Sequence, residues 1–198
     1  VKKILGITPA LFRRVFHLCA PVFLIYYLVP ADLWGIGVSK RFTLLMILLV
    51  VLIIEGIRIL RKKIFFGLRD YEGKQISAFA WAGVGITMAF LFFPKIFVVP
   101  IIFGMAWIDP LIGELKKREG KILYPFLPAI CYAIIFFLFV SFLSDLSISI
   151  IFILTIVGTV SALLAEYPHI KYIDDDFLMI IVPLVTLTLF HNLIRIVI

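Results

Sequence analysis

Phe42-Thr-Leu-Leu-Met-Ile-Leu-Leu-Val-Val-Leu-Ile-Ile-Glu55-Gly-Ile-Arg58-Ile-Leu60 is the stretch that decides the fold. It matches the roughly 20 apolar residues that a helix needs to cross a bilayer. Its only charges, Glu55 and Arg58, sit near one end. Runs of the same kind recur on both sides, and 64% of the 198 residues are hydrophobic, with 20 Phe. A mean hydropathy of +1.19 lies outside the range of soluble domains. The chain therefore reads as an all-α, polytopic transmembrane helical bundle.

Outward from that run, spans are expected near Val15–Val29, Phe42–Leu60, Ile76–Phe93, Ile96–Ile108, Tyr124–Leu143, Ile148–Ala165 and Phe177–Ile198. The fourth is short for a bilayer and is bracketed or broken by Pro94 and Pro100, so a half-helix packed inside protein is expected there. With apolar runs along the whole length, the first is not read as a cleavable signal peptide. Val1 in first place suggests that the initiator Met is absent or removed. No internal repeat or low-complexity tract divides residues 1–198, which read as one integral membrane domain.

Charge sets the orientation. Of the 19 Lys and Arg, only Lys40, Arg41, Lys95 and Arg195 fall on the side opposite the N-terminus, which the positive-inside rule makes cytoplasmic. The expected location is the cell membrane, with the charged side facing the cytoplasm. A net charge of +7 is accounted for by helix-flanking basic residues, so nucleic acid is not an expected partner. Of the 12 carboxylates, only Asp32 and Asp145 lie on the opposite side. The positive-inside rule does not ask for acids, so their one-sided enrichment needs its own reason. Cys19 and Cys131 lie in apolar runs without ligand spacing and read as packing residues.

Four constellations gather on the charged side. Thr8-Pro9 reads as a helix start, which puts Arg13, Arg14 and His17 within about one turn of each other. They form either a membrane anchor or a cationic face for phosphate. Glu55 and Arg58, three apart inside a span, form either a self-contained ion pair or a phosphate-directed Arg58 oriented by Glu55. Asp109-Pro110-Leu-Ile-Gly113-Glu114-Leu-Lys116-Lys117 reads as a short cytoplasmic helix capped by Asp109. Its lysines and N-terminus favour phosphate, and Asp109 with Glu114 could hold Mg²⁺. Glu166 closes the sixth span, and Asp174-Asp175-Asp176 precedes the seventh. Three adjacent carboxylates repel one another unless a cation neutralises them, the alternative being a cap plus solvated neighbours. No P-loop, serine elbow or zinc helix is present in the sequence.

In order and on one membrane side, these pieces resemble the polyprenol kinase family, which includes dolichol, phytol and farnesol kinases and a CTP-dependent diacylglycerol kinase. The resemblance rests on Arg13-Arg14-Val-Phe-His17, Glu55-x-x-Arg58, Asp109 to Gly113, and Ala165-Glu166 followed by Ile173-Asp174-Asp175-Asp176. This chain has Ile108 before Asp109 where the family carries Gly, and Asp176 where it carries Asn. The resemblance implies a CTP-dependent kinase acting on a long-chain isoprenoid alcohol. Asp109, Asp174 and Asp175, with Glu114 and Asp176 as further candidates, would hold Mg²⁺. Arg13, Arg14, Arg58 and Glu55, with Gly113, Lys116 and Lys117, would receive the nucleotide, and Glu166 or His17, with Asp175, would act in catalysis. Two alternatives stay open: cytidylyl transfer from CTP to a lipid phosphate, and a small transporter using Glu55, Arg58 and the broken fourth span. Membrane lipids are expected partners, and self-association into a homo-oligomer is left open.

Overall fold

A computed structural model of the chain describes residues 8–33, 35, 37–117, 123–166, 170 and 172–197; of Leu33, Lys117 and 195–197 only the backbone is described. Lys2, Lys3, Arg118, Glu119, Gly120, Lys121, Pro168, His169 and Lys171, all within the charged clusters, lie outside the described residues.

Thr8 caps the first helix, accepting from the Leu11 amide at 3.2 Å, and Pro9 takes the first helical position as expected. This helix, α1 (Pro9–Leu18), stops because Pro21 has no N–H to offer the His17 carbonyl and its ring would clash there. The chain tightens into a 3₁₀ segment, Ala20–Tyr27, that completes the first span. A small antiparallel ladder, β1 (Asp32–Leu33) on β2 (Val38–Ser39), pairs Asp32 with Ser39 and Leu33 with Val38. Ser39 then caps α2 (Lys40–Leu60), which at 1.5 Å per residue is about as long as the hydrocarbon core is thick.

The expected half-helix is the main correction. α4 (Lys95–Lys117) is continuous, with Pro100 and Pro110 inside it, and absorbs both the fourth span and the separate cytoplasmic helix. Each proline removes one backbone donor, but packing on all sides holds the helix together: 61% of its apolar window is inside the bundle, against 11% for α2 and 6% for the first span. The short helix is instead α3 (Ala78–Phe92), capped by Ser77 and ended by Phe93, which Pro94 holds extended. The remaining helices are α5 (Phe126–Leu143), α6 (Ile148–Ala165) and α7 (Asp175–Val197). Among the described residues, six spans are long and apolar enough to cross a membrane, and α3 is a shorter apolar helix.

Helices α3 to α7 make the core, around Phe97, Ile101, Met105, Tyr132, Phe136, Leu154 and Ile180. The outermost helices pack differently: α2 rests on α3 and the first span on α4, with no substantial packing between α2 and the first span. Close helix approach needs small residues. A Cβ on Gly104 would lie 2.3 Å from the Tyr132 ring, and one on Gly158 2.9 Å from the Phe136 ring. Gly104→Ala is therefore expected to destabilise the bundle by about 1–3 kcal/mol, seen as a lowered thermal midpoint in detergent; an unchanged midpoint would contradict this packing.

Large apolar side chains cover the outside, Phe142, Leu60 and Leu28 being 86%, 84% and 81% exposed. A soluble chain does not present such a surface, whereas lipid matches it. The protein is a polytopic, all-α membrane protein.

Candidate functional site

Charged residues from helix ends far apart in sequence meet in one cavity of about 800 Å³ at the end of the bundle where α1 and α7 begin and α6 ends. Its polar part is lined by Arg13, Arg14, His17, Arg69, Asp109, Gly113, Glu114, Lys116, Glu166 and Asp174 to Asp176. From there it continues between the first span, α2 and α3 as an apolar cleft.

His17 sits at the centre. Its Nε2 lies 3.6 Å from Asp109 Oδ2 and 3.1 Å from the Met105 carbonyl, and its Nδ1 lies 3.7 Å from Asp176 Oδ2. Ligand atoms of His17, Asp109 and Asp176 all fall within 4.8 Å of one another, and so do those of Asp174, Asp175 and Asp176. Asp176 belongs to both groups. Asp174 caps α7, accepting from the Asp176 amide at 3.1 Å, so the capping role is real. It does not account for Asp109, which stands mid-helix on α4 rather than at the expected N-terminus. Asp109 therefore offers no helix start to a phosphate, and Gly113 is likewise helical instead of in a loop.

The chemistry of these two overlapping groups, which together offer four carboxylates and one imidazole, fits a divalent cation. Arg69 offers no ligand and instead partly neutralises Asp174 and Asp175. Burial, and then repulsion from Asp175, push Asp174 from its ordinary 3.8 up to about 7. In the cation-free protein the folded state thus keeps a proton that an unfolded chain releases, and this contribution to stability declines as pH rises from about 3.8 to about 7. Cation binding must displace that proton, so Mn²⁺ affinity is expected to rise with pH through about 7. Calorimetric titration of the protein in nanodiscs at several pH values checks this; affinity independent of pH would contradict it.

Glu166 is 4% exposed and held by the Lys116 ammonium, with the Tyr124 hydroxyl donating to its other oxygen at 3.4 Å. Lys116 is thus engaged with Glu166. Arg14 forms an ion pair with Glu114 at the exposed rim, so Glu114 stands apart from the groups that could hold a cation. Lys117 ends α4, its side chain outside what is described.

Glu55 and Arg58 do not reach this cavity. Arg58 is fully engaged: it donates to both Glu55 carboxylate oxygens at 2.9 and 2.8 Å, to the Glu72 and Gln75 carbonyls at 2.8 and 2.7 Å, and to the Lys63 carbonyl at 3.2 Å. Glu55 also accepts from the Ser77 amide, and Glu72 accepts from the Arg69 and Ala78 amides. The pair is a buried clasp between the end of α2, the 61–77 segment and the start of α3. Of the two alternatives that the i,i+3 spacing leaves, this geometry is that of the structural ion pair and not of phosphate contact.

Arg69 and Tyr124 join the site without having been singled out in the sequence. Arg69 lies among the basic residues of the α2–α3 connection, where the positive-inside pattern masks it, and Tyr124 is one aromatic among many. Comparison with family models, with curated proteins and with solved structures finds no match to this chain.

Proposed function

We propose that this chain is a membrane-embedded lipid kinase that transfers the γ-phosphoryl group of CTP to a long-chain isoprenoid alcohol at the cytoplasmic surface of the cell membrane. The observation that carries the reading is a single cavity with two unlike halves: a head rich in carboxylates and basic groups, and an apolar cleft that leads away from it. A soluble phosphate donor and a lipid acceptor need such a pair of environments side by side. The choice of CTP and of an isoprenoid rests on the family resemblance.

In this reading Asp109, Asp174, Asp175 and Asp176 hold Mg²⁺, which when bound supplies charge neutralisation on the triphosphate. Arg13 and Arg69, and Arg14 at the rim, attract and orient the phosphate oxygens. His17 keeps Asp109 and Asp176 in place. The alcohol oxygen forms a bond to the γ-phosphorus as the bond from that phosphorus to the β–γ bridging oxygen breaks, and the electron pair leaves on CDP. Glu166, oriented by Lys116 and Tyr124, accepts the alcohol proton.

Cytidylyl transfer would use the same groups and is separated by its products. The transporter reading loses both features that motivated it, because α4 is unbroken and Arg58 is saturated. Purified protein in nanodiscs, given Mg²⁺, a prenol and CTP labelled at either the α or the γ position, is the test. The proposal expects γ-label in a prenyl phosphate with release of CDP. α-Label in the lipid with release of pyrophosphate would replace it with cytidylyl transfer, and no labelled lipid across several alcohols would overturn both.

A further inference from the structure

The apolar cleft ends in a built floor. Along α2 it is lined by Thr43, Leu44, Ile47, Leu48 and Val51, one stripe at helical spacing. On α3 its lining runs from Ala78 to Phe90, about 18 Å at 1.5 Å per residue, which is more than half of the roughly 30 Å hydrocarbon thickness. Packing between α2 and the first span is sparse, and the cleft lies between them.

At the end far from the carboxylates stands Lys40, the first residue of α2. A cation is disfavoured at a helix N-terminus, so helix stability does not explain it. Its ammonium donates to the Val29 carbonyl at 3.0 Å and the Tyr26 carbonyl at 3.4 Å, and lies 4.9 Å from the centre of the Tyr26 ring. That ring stacks on Phe90 at 4.7 Å with 9° between planes, and all three residues line the cavity. Lys40 thus ties the start of α2 to the end of the first span at this level.

We propose that the cleft measures the tail of the isoprenoid acceptor, with Lys40, Tyr26 and Phe90 as the stop that sets tail length. This rests on the lipid-acceptor reading and deepens it. Polarity orients the occupant: its hydroxyl lies among the polar groups and its tail along α2 and α3. Discrimination comes from fit against the stop, since a tail outside the cleft rests in lipid as apolar as the cleft itself.

Gly83 offers a clean probe. It lines the cleft, and a Cβ there meets nothing within 4 Å, so a side chain at this position starts in open space and Gly83→Phe narrows the slot. Binding of farnesol, geranylgeraniol and a longer polyprenol is measured by native mass spectrometry in nanodiscs without nucleotide. Gly83→Phe is expected to weaken geranylgeraniol relative to farnesol by about tenfold, the scale a tight apolar pocket achieves. Lys40→Met should strengthen the longer polyprenol relative to geranylgeraniol, and Lys40→Arg should keep the parental profile. An identical length profile in parent, Gly83→Phe and Lys40→Met would overturn the stop. If the profile shifts but no phosphorylated lipid forms in the labelled-CTP assay, the stop stands and the kinase reading falls. If prenyl phosphate forms with an unshifted profile, the reverse holds.

Discussion

Asp109→Asn is expected to lower kcat/KM for phosphoryl transfer by about 10²–10³-fold, the usual cost of removing one group that stabilises transition-state charge. The same change should leave the thermal midpoint equal or higher. Asp109 shares its surroundings with Asp176 and His17, so a neutral isostere relieves crowding of negative charge when no cation is bound. Activity lost while stability is kept marks a residue placed for chemistry rather than for folding. Mn²⁺ affinity, measured by calorimetry on the same variant, should fall in parallel. A variant that turns over like the parent would remove Asp109 from the site.

Arg58→Met should do the opposite. Its guanidinium is fully buried and answers one carboxylate and three carbonyls, so its loss strands the Glu55 charge inside the protein. Breaking one side of a buried ion pair costs about 3–5 kcal/mol, which predicts a large drop in thermal midpoint and in yield. Combining it with Glu55→Gln should recover part of that loss, because the stranded charge is then gone. The fraction that remains folded should retain parental kcat/KM. A stable Arg58→Met protein with a raised KM for nucleotide would instead restore Arg58 to phosphate binding.

Much of the fold was legible because lipid imposes a simple rule, and the run from Phe42 to Leu60 states it: apolar residues for about the thickness of the bilayer. The caps at Thr8, Ser39 and Ser77 mark helix starts by the local hydrogen bond that such residues offer. What misled was proline. Pro100 read as a break and Pro110 as part of a separate helix capped by Asp109, yet α4 carries both, its packing in the bundle outweighing two missing donors. Pro21 and Pro94 do end α-helical structure.

The site was legible in part for a similar reason. One-sided carboxylates had no role in topology, and Asp109, Glu166 and Asp174 to Asp176 do converge with His17 in one cavity. Glu55 and Arg58 carried the same signal and proved to be a clasp. Sequence spacing shows that two charges can meet but not whether carbonyls from a later segment will saturate them. Here Lys63, Glu72 and Gln75 supply those carbonyls. Arg69 reached the site from a connection whose other basic residues need only face the aqueous side, and nothing in its spacing separates it from them.

Anomalous diffraction at the manganese edge, from crystals grown with Mn²⁺ and a non-hydrolysable CTP analogue, tests the central claim most directly. The account predicts a manganese peak among Asp109, Asp174, Asp175 and Asp176, with the triphosphate beside it and the γ-phosphorus facing Glu166. A nucleotide bound elsewhere on the chain, or manganese absent from those carboxylates while the nucleotide is present, would contradict it.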